Sequence, residues 1–391
     1  MNMSCNKMDF GKLSILYVIS IYKVGDGASS SVNMQINDNV KHDYLVVAKW
    51  LYSSEEGLNI MEFNKHKLEE ELKNHRYDII HYVKGTNSDI LIKVLQVVHK
   101  LGQHIPVLTT VCQNPDYSYL LLSPYELHHS SHFVFIDKAS YNTPIISFIP
   151  QECKSQIYLI SDKMEKMTRG LVYQNRNDGR IIFGRGSTLS KCPKDMFEVF
   201  DKIDCPGKEF HIVGVAKNDN WVAEEAKKRS NVVMHGFLPY NQWFEVCKTF
   251  DIFLYQLPVY CHASIDGTLG LAMSMNIPVV YYGCEAPKER FENGKNGFVA
   301  ETKEDIIKYA NLLASDFELR KKIGEAGRNS ISKKIGTSET RIQKYIIAYQ
   351  RCIETPNKSF KVPIRYYWLY LKRAWKRVLR EITGIYPRPQ I

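Results

Sequence analysis

Asp266-Gly267-Thr268 stands after an apolar run, Asp251 to Tyr255, and opens a compact stretch, Gly267 to Met275, that leads into a second apolar run, Ile277 to Tyr282. Strand, turn, helix and strand is the reading that fits these lengths and residue types. A helix beginning where a parallel strand ends points free N–H groups and the positive end of its dipole at a ligand. Gly267 and Thr268 are therefore candidate phosphate ligands, and Asp266 is the candidate catalytic carboxylate. Asp266 can equally be the N-cap of the helix it opens, and the two roles are compatible. Earlier in the chain, Gly25-Asp26-Gly27 follows the apolar run Leu13 to Ser20 and precedes a helical pattern at Ser29 to Asn37. Gly25 and Gly27 are candidates for carrying backbone amides toward a phosphate or an acceptor, although the spacing is neither that of a dinucleotide fingerprint nor that of a P-loop.

The elements that must position these residues alternate along the whole chain. Strands are expected at Leu13 to Ser20, Tyr44 to Ala48, Asp78 to Val83, Pro106 to Val111, His132 to Ile136 and Ile157 to Ile160, with helices at Ser29 to Asn37, Asn64 to His75 and Asp89 to Leu101. The helix at Asp89 carries Ile90, Leu91, Val94, Leu95, Val97 and Val98 on a broad apolar face, suited to lying on a sheet. A polar stretch, Tyr173 to Gly179, interrupts the pattern, which then restarts at Ile181 to Gly184 and continues to helices at Lys303 to Ala314, Leu319 to Gly327 and Ser338 to Gln350. The expected fold class is α/β, with two Rossmann-like domains facing a cleft. The predicted boundaries are 1–172 for a first Rossmann-like domain, 173–179 for a linker, 180–353 for a second Rossmann-like domain and 354–391 for a tail.

Charge and cysteine usage narrow the partners. The chain carries a net charge of +10, but residues 358–391 contribute +8 of it and leave the body almost neutral. A nucleic-acid-binding body would need a basic face of its own. Nine scattered cysteines without a Cys-x-x-Cys pair point to a reducing compartment. No window has the apolar length of a spanning helix, and the first residues do not read as a signal peptide, so a cytoplasmic location is expected. In the tail, Ile364, Trp368, Leu371, Trp375, Val378 and Ile382 recur in steps of four and three, while Arg365, Lys372, Arg373, Lys376, Arg377 and Arg380 fall elsewhere on the wheel. This pattern predicts an interfacial helix, over 363–383, for the anionic inner face of a membrane. The alternative is that the apolar stripe packs back on the first domain.

Several segments resemble the donor half of GT-B-fold glycosyltransferases, especially the retaining family-four type. They are "DIFL", "AMSMNIPVV" and "FENGKNGFV" around Asp266, "RIIFGRGSTLSK" from Arg180, and "NVVMHGFLP" from Asn231. "LSILYVIS" and "YDIIHYV" in the first half extend the resemblance over most of residues 12–350. It implies that Arg185 and Lys191 hold the diphosphate of a nucleotide sugar and that Glu289 bonds sugar hydroxyls. It also implies that His81 faces the cleft as a second catalytic candidate. The other readings are a solvated loop for the cations, a helix surface for Glu289 within the charge run Lys288, Glu289, Arg290 and Glu292, and the core for His81.

The sequence departs from the family at two glutamates, whose places fall to Ala263 and Leu271, and at a second cleft histidine, whose place falls to Cys112. A three-residue deletion would let Asp266 and Gly267 stand for the first glutamate and its glycine. No Asp-x-Asp occurs, so no metal and no cofactor beyond the donor substrate are expected. The resulting expectation is a metal-independent, retaining glycosyltransferase whose partners are a nucleotide sugar, a glycan or lipid-linked acceptor and an anionic membrane surface, with no nucleic acid. The alternative is a catalytically silent GT-B homologue that binds a glycan or a partner protein at the membrane. A sugar-nucleotide epimerase of the same fold is a third reading.

Overall fold

The computed structural model describes residues 13–22, 32, 36, 43–53, 57–85, 89–113, 121–158, 180–186, 188–258, 267–335, 338–355 and 360–383. Two compact units divide the chain, Met1–Ile160 with Ser338–Ile391, and Ser161–Thr337. The first is built from β1 (Ser14–Tyr22), β2 (Asp43–Leu51), β3 (Ile60–Glu62), α1 (Lys65–Asn74), β4 (Ile79–Lys84), α2 (Ile90–Lys100), β5 (Val107–Val111), α3 (Pro124–His129), β6 (His132–Phe135), α4 (Lys138–Asn142) and β7 (Lys154–Gln156). Its seven strands lie in the order β3-β2-β1-β4-β5-β6-β7, and every pair is parallel. Both faces of such a sheet must be covered, which is why β1 and β4 are buried almost along their whole length. The apolar face of α2 covers one side, with all six predicted residues buried.

The second unit contains β8 (Ile181–Gly186), α5 (Met196–Asp201), β9 (Lys208–Val213), α6 (Trp221–Lys227), β10 (Val232–Gly236), α7 (Tyr240–Cys247), β11 (Ile252–Gln256), α8 (Gly267–Ser274), β12 (Val279–Tyr282), α9 (Glu285–Lys288), β13 (Phe298–Val299), α10 (Lys303–Ser315) and α11 (Phe317–Ile335). Its six strands run β10-β9-β8-β11-β12-β13, again all parallel. Two doubly wound, Rossmann-like units are thus present, as the alternation of strands and helices predicted.

Three expectations are corrected. The helix predicted to close the second domain, α12 (Ser338–Glu354), belongs to the first unit. Its Tyr345, Ala348, Tyr349 and Cys352 are buried among Tyr17, Ile79, Val83 and Leu108 of the first sheet. Sequence order placed this helix after the second domain's elements but could not say which sheet it covers. Among the described residues the last strand of the first sheet is an edge strand at Lys154–Gln156 paired with β6, starting upstream of the predicted 157–160, of which 159–160 lie outside the described residues. The helix predicted to end at Gly327 runs on to Ile335 as α11. Gly324 does not break it. A Cβ there would lie 1.9 Å from the carbonyl oxygen of Asn276, so the glycine lets the turn after α8 pack against α11. Asn276 itself has φ 62°, a left-handed conformation that asparagine tolerates better than most residues. The predicted linker, 173–179, lies outside the described residues.

The tail forms α13 (Ile364–Thr383) after Pro363, as predicted. Packing uses a different face from the predicted stripe. Tyr366 is buried with Val362, and Phe360, Tyr367, Leu369 and Tyr370 pack partly buried against the same cluster of the first unit. Ile364, Trp368, Leu371, Trp375 and Val378 remain exposed.

Candidate functional site

The strand order of the second sheet reverses between β8 and β11, and in open α/β sheets ligands bind outside the carboxyl ends of the strands at such a switch point. β8 ends in Gly184-Arg185-Gly186, and both glycines are steric requirements. A Cβ on Gly184 would sit 1.9 Å from the Phe250 ring, and one on Gly186 would sit 2.7 Å from Cγ2 of Thr268. The missing side chain of Gly186 is therefore what brings the first turn of α8 against the end of β8. Thr268 and the Arg185 strand end are joined in this way.

Arg185 is fully buried. Its Nη1 donates to the carbonyl of Gln256 at 2.5 Å, and Nη2 donates to the carbonyl of Lys191 at 2.7 Å. The guanidinium lies 5.6 Å from the Tyr255 ring centroid. Among the described residues no carboxylate pairs with it, and its Nε has no acceptor. Gln256, at the carboxyl end of β11 and 2% exposed, likewise has an Oε1 without a donor. A buried cation compensated only by carbonyls, beside a buried amide with an unused acceptor, is costly unless something else completes it. The pair marks this strand end as a polar site of net positive potential.

Lys191 ends the 3-10 turn Leu189–Lys191, is half-buried and has its carbonyl fixed by Arg185. Gly267 and Thr268 begin α8, as expected, and are partly exposed. Leu271, in the place of a family glutamate, is 3% exposed in the core with Met273 and Tyr281. Gly283 is needed for a protein contact: with φ 144°, a Cβ there would meet Cβ of Leu257 at 2.7 Å. Asp266, Gly25 and Gly27 lie outside the described residues.

The charge run after β12 is not uniform surface. Lys288 pairs with Glu285 and Glu301 at 3.0 Å each. Burial works against its ammonium, yet those two bonds carry its pKa above the usual lysine value. Glu289, the C-cap of α9, is half-buried. Arg290 is 6% exposed, and its Nη1 lies 3.3 Å from where a Cβ of Gly270 would be, so it packs on α8. The following loop is fixed by buried Asn296, which accepts from Glu292 N at 2.6 Å and donates to the Arg290 carbonyl at 3.0 Å and to Ser330 Oγ at 2.8 Å. Arg290 and Gln256 are the residues that sequence reasoning missed. Gln256 left a readable signal, a polar residue ending an apolar strand, whereas Arg290 was hidden in the charge run.

His81 sits in the middle of β4 of the first unit and is fully buried. Its Nδ1 hydrogen-bonds Tyr349 Oη at 2.6 Å, and its Nε2 bonds Thr110 Oγ1 at 2.7 Å. Both ring nitrogens are engaged by core hydroxyls, so the expectation of a ligand-facing histidine is corrected to a core residue joining β4, β5 and α12. Cys112, just past β5, is half-buried.

Residues 175–330, which contain the whole switch-point site, match the family model for glycosyl transferases group 1. The second unit is thus similar to group 1 glycosyltransferase domains over this stretch. Solved structures extend the likeness to both units. HepE of Anabaena, solved in complex with UDP-glucose, is 16% identical, with 86% of this chain and 99% of that chain covered and a TM-score of 0.62. A glycosyltransferase from Rickettsia africae ESF-5 is 16% identical over 88% of this chain and 99% of that one, with a TM-score of 0.63. WaaG, a glycosyltransferase involved in lipopolysaccharide biosynthesis, is 11% identical over 88% and 100%, with a TM-score of 0.57. At these identities the likeness is one of fold, and the fold is GT-B. No curated protein matches the chain by sequence. The GT-B resemblance seen in the sequence therefore holds, and the family-four type is compatible with it.

Proposed function

We propose that this protein moves a sugar from a nucleotide diphosphate donor to a glycan or lipid-linked acceptor, without a metal and with retention of anomeric configuration. The observation that carries the donor part is the pair of incompletely bonded polar groups, Arg185 Nε and Gln256 Oε1, at the β8/β11 switch point beside the start of α8. A diphosphate there would answer the buried guanidinium and accept from the N–H groups of Gly267 and Thr268. The group 1 match to this unit supports the same reading, as does a structural neighbour solved with UDP-glucose.

In the transfer, the bond between the anomeric carbon and the phosphate oxygen breaks, and its electron pair stays on the diphosphate. The acceptor hydroxyl oxygen forms the new bond on the same face and passes its proton to the departing phosphate. Charge develops on the leaving group, so a fixed cation and a helix N-terminus stabilise the transition state more than the ground state. Arg185 supplies that fixed charge, and Lys191, Asp266 and Glu289 are proposed to touch diphosphate and sugar. Gly25 and Gly27 are proposed to line the acceptor side. The scattered cysteines support a cytoplasmic location.

Isothermal titration with a panel of nucleoside diphosphates and their sugars tests the donor site, and NMR of the product anomer tests retention. Binding of one nucleotide series is expected, and no binding to any member would overturn the proposal. The burial of Leu271 where the family has a glutamate favours a second reading, a silent homologue. Donor binding without hydrolysis or transfer to any acceptor would select it.

A further inference from the structure

We infer that α13 is a lipid-docking helix fastened to the first unit, and that its exposed stripe lies on an anionic membrane surface. At 100° per residue, Ile364, Trp368, Leu371, Trp375, Val378 and Leu379 fall within an arc of about 100°. Their exposures run from 41% to 75%, with Trp368 at 69% and Trp375 at 64%. Tyr366 lies nearly opposite and is 2% exposed. Its hydroxyl donates to the Leu122 carbonyl at 2.7 Å, and its ring lies 5.0 Å from Phe148. Tyr367 adds a bond to His128 at 2.8 Å. The helix is thus held by its tyrosine face and offers the tryptophan face outward. The alternative, in which the stripe packs back on the first domain, does not hold in this structure.

Charge selects the occupant. Arg365, Lys372 and Lys376, all exposed, run along one border of the stripe, at the height where headgroups would meet a helix lying in the interface. The only acidic residue in α13 is Glu381, near its carboxyl end. A second copy of the helix on this face would bring like charges together, whereas an anionic lipid surface complements them. Among the described residues no helix is long and apolar enough to cross a membrane. This helix would therefore lie on the bilayer.

The attachment point gives the docking a direction. Leu122 precedes Ser123, which caps α3 in a reciprocal box with Glu126. Glu126 in turn holds buried Lys84, the last residue of β4, at 2.8 and 2.9 Å. The lipid face is thereby tied through α3 to the carboxyl end of the first sheet. That the acceptor is drawn from this surface rests on the transferase reading; the lipid contact itself does not.

Cosedimentation of the full chain with vesicles of phosphatidylcholine, alone or mixed with phosphatidylglycerol, is the test. The wild type is expected to pellet with the anionic vesicles only. Trp368→Ser with Trp375→Ser, and separately Lys372→Glu with Lys376→Glu, should each weaken partitioning roughly tenfold or more. These side chains are exposed, and circular dichroism checks that the variants fold. Equal partitioning to both vesicle types, wild-type binding by both variants, or no binding to either vesicle would overturn the inference. So would a concentration-dependent dimer that the tryptophan variant abolishes, which would assign the stripe to a second copy. Nucleotide titration without vesicles reads the donor site alone, so either proposal can fail without the other.

Discussion

Replacing Arg185 by methionine, which keeps an unbranched stem without the charged guanidinium, tests the electrostatic role of this residue at the switch point. Of the five N–H donors of a guanidinium, two are used on the carbonyls of Gln256 and Lys191. The substitution leaves those two carbonyls to find other partners, at about 1–3 kcal/mol each. Removing a buried cation with no carboxylate partner returns several kcal/mol of desolvation, so a modest net change in stability is expected. The effect on ligand binding has one sign. A cation about 5 Å from a phosphate charge, at an effective dielectric near 20, contributes about 3 kcal/mol. Affinity for the cognate nucleoside diphosphate should therefore fall by a factor of about 100. Arg185→Lys keeps the charge, loses the fork to two carbonyls and should fall between. Titration calorimetry, run beside a urea melt, reads both quantities. A folded Arg185→Met protein that binds nucleoside diphosphates as tightly as wild type would refute the assignment of the buried charge to an anion site.

Three further outcomes follow from the geometry. Gly186→Ala should cost about 1–3 kcal/mol in a denaturant melt and weaken donor binding, because the new methyl meets Thr268 at 2.7 Å and pushes the first turn of α8 away; wild-type behaviour in both assays would contradict the close approach. His81→Phe should destabilise the first unit by about 1–3 kcal/mol by taking the ring nitrogens away from the buried hydroxyls of Tyr349 and Thr110, and a cycle with Tyr349→Phe should be non-additive. A folded variant of unchanged stability that has lost transfer would instead restore His81 to catalysis. His235 is pushed down to about 4 from an ordinary 6.5, by burial first and then by His211 and Lys217. Its unfolded form takes up a proton first as pH falls, so its contribution to stability is present above 6.5 and is lost between about 6.5 and 4. Urea melts across that range should slope less for His235→Gln than for wild type.

Much of this molecule is legible along the chain. The predicted strand cores at 181–184, 251–255 and 277–282 fall on β8, β11 and β12, and the Gly-Arg-Gly at the end of β8 stands beside Thr268 at the start of the predicted helix. These features are local: an apolar run of strand length, a glycine where the chain must come close, and a helix opening at a strand end. Charge patterning was legible in the tail for the same reason. Within the site, the sequence singled out the cation that the fold buries, but it gave no hint of the bonds that hold it.

Amino-acid order by itself therefore determined two parallel α/β layers, a glycine-framed arginine and a helix with two distinct faces. Only the tertiary structure decided that α12 covers the first sheet, that His81 is sealed between Tyr349 and Thr110, and that Arg290 is the buried member of a charged run. It also decided that the tyrosines of α13 are covered and its tryptophans are not. Periodicity fixes which residues share a face, because that depends on rise and twist alone. Which face is covered depends on partners distant in sequence, and no local pattern encodes those pairings.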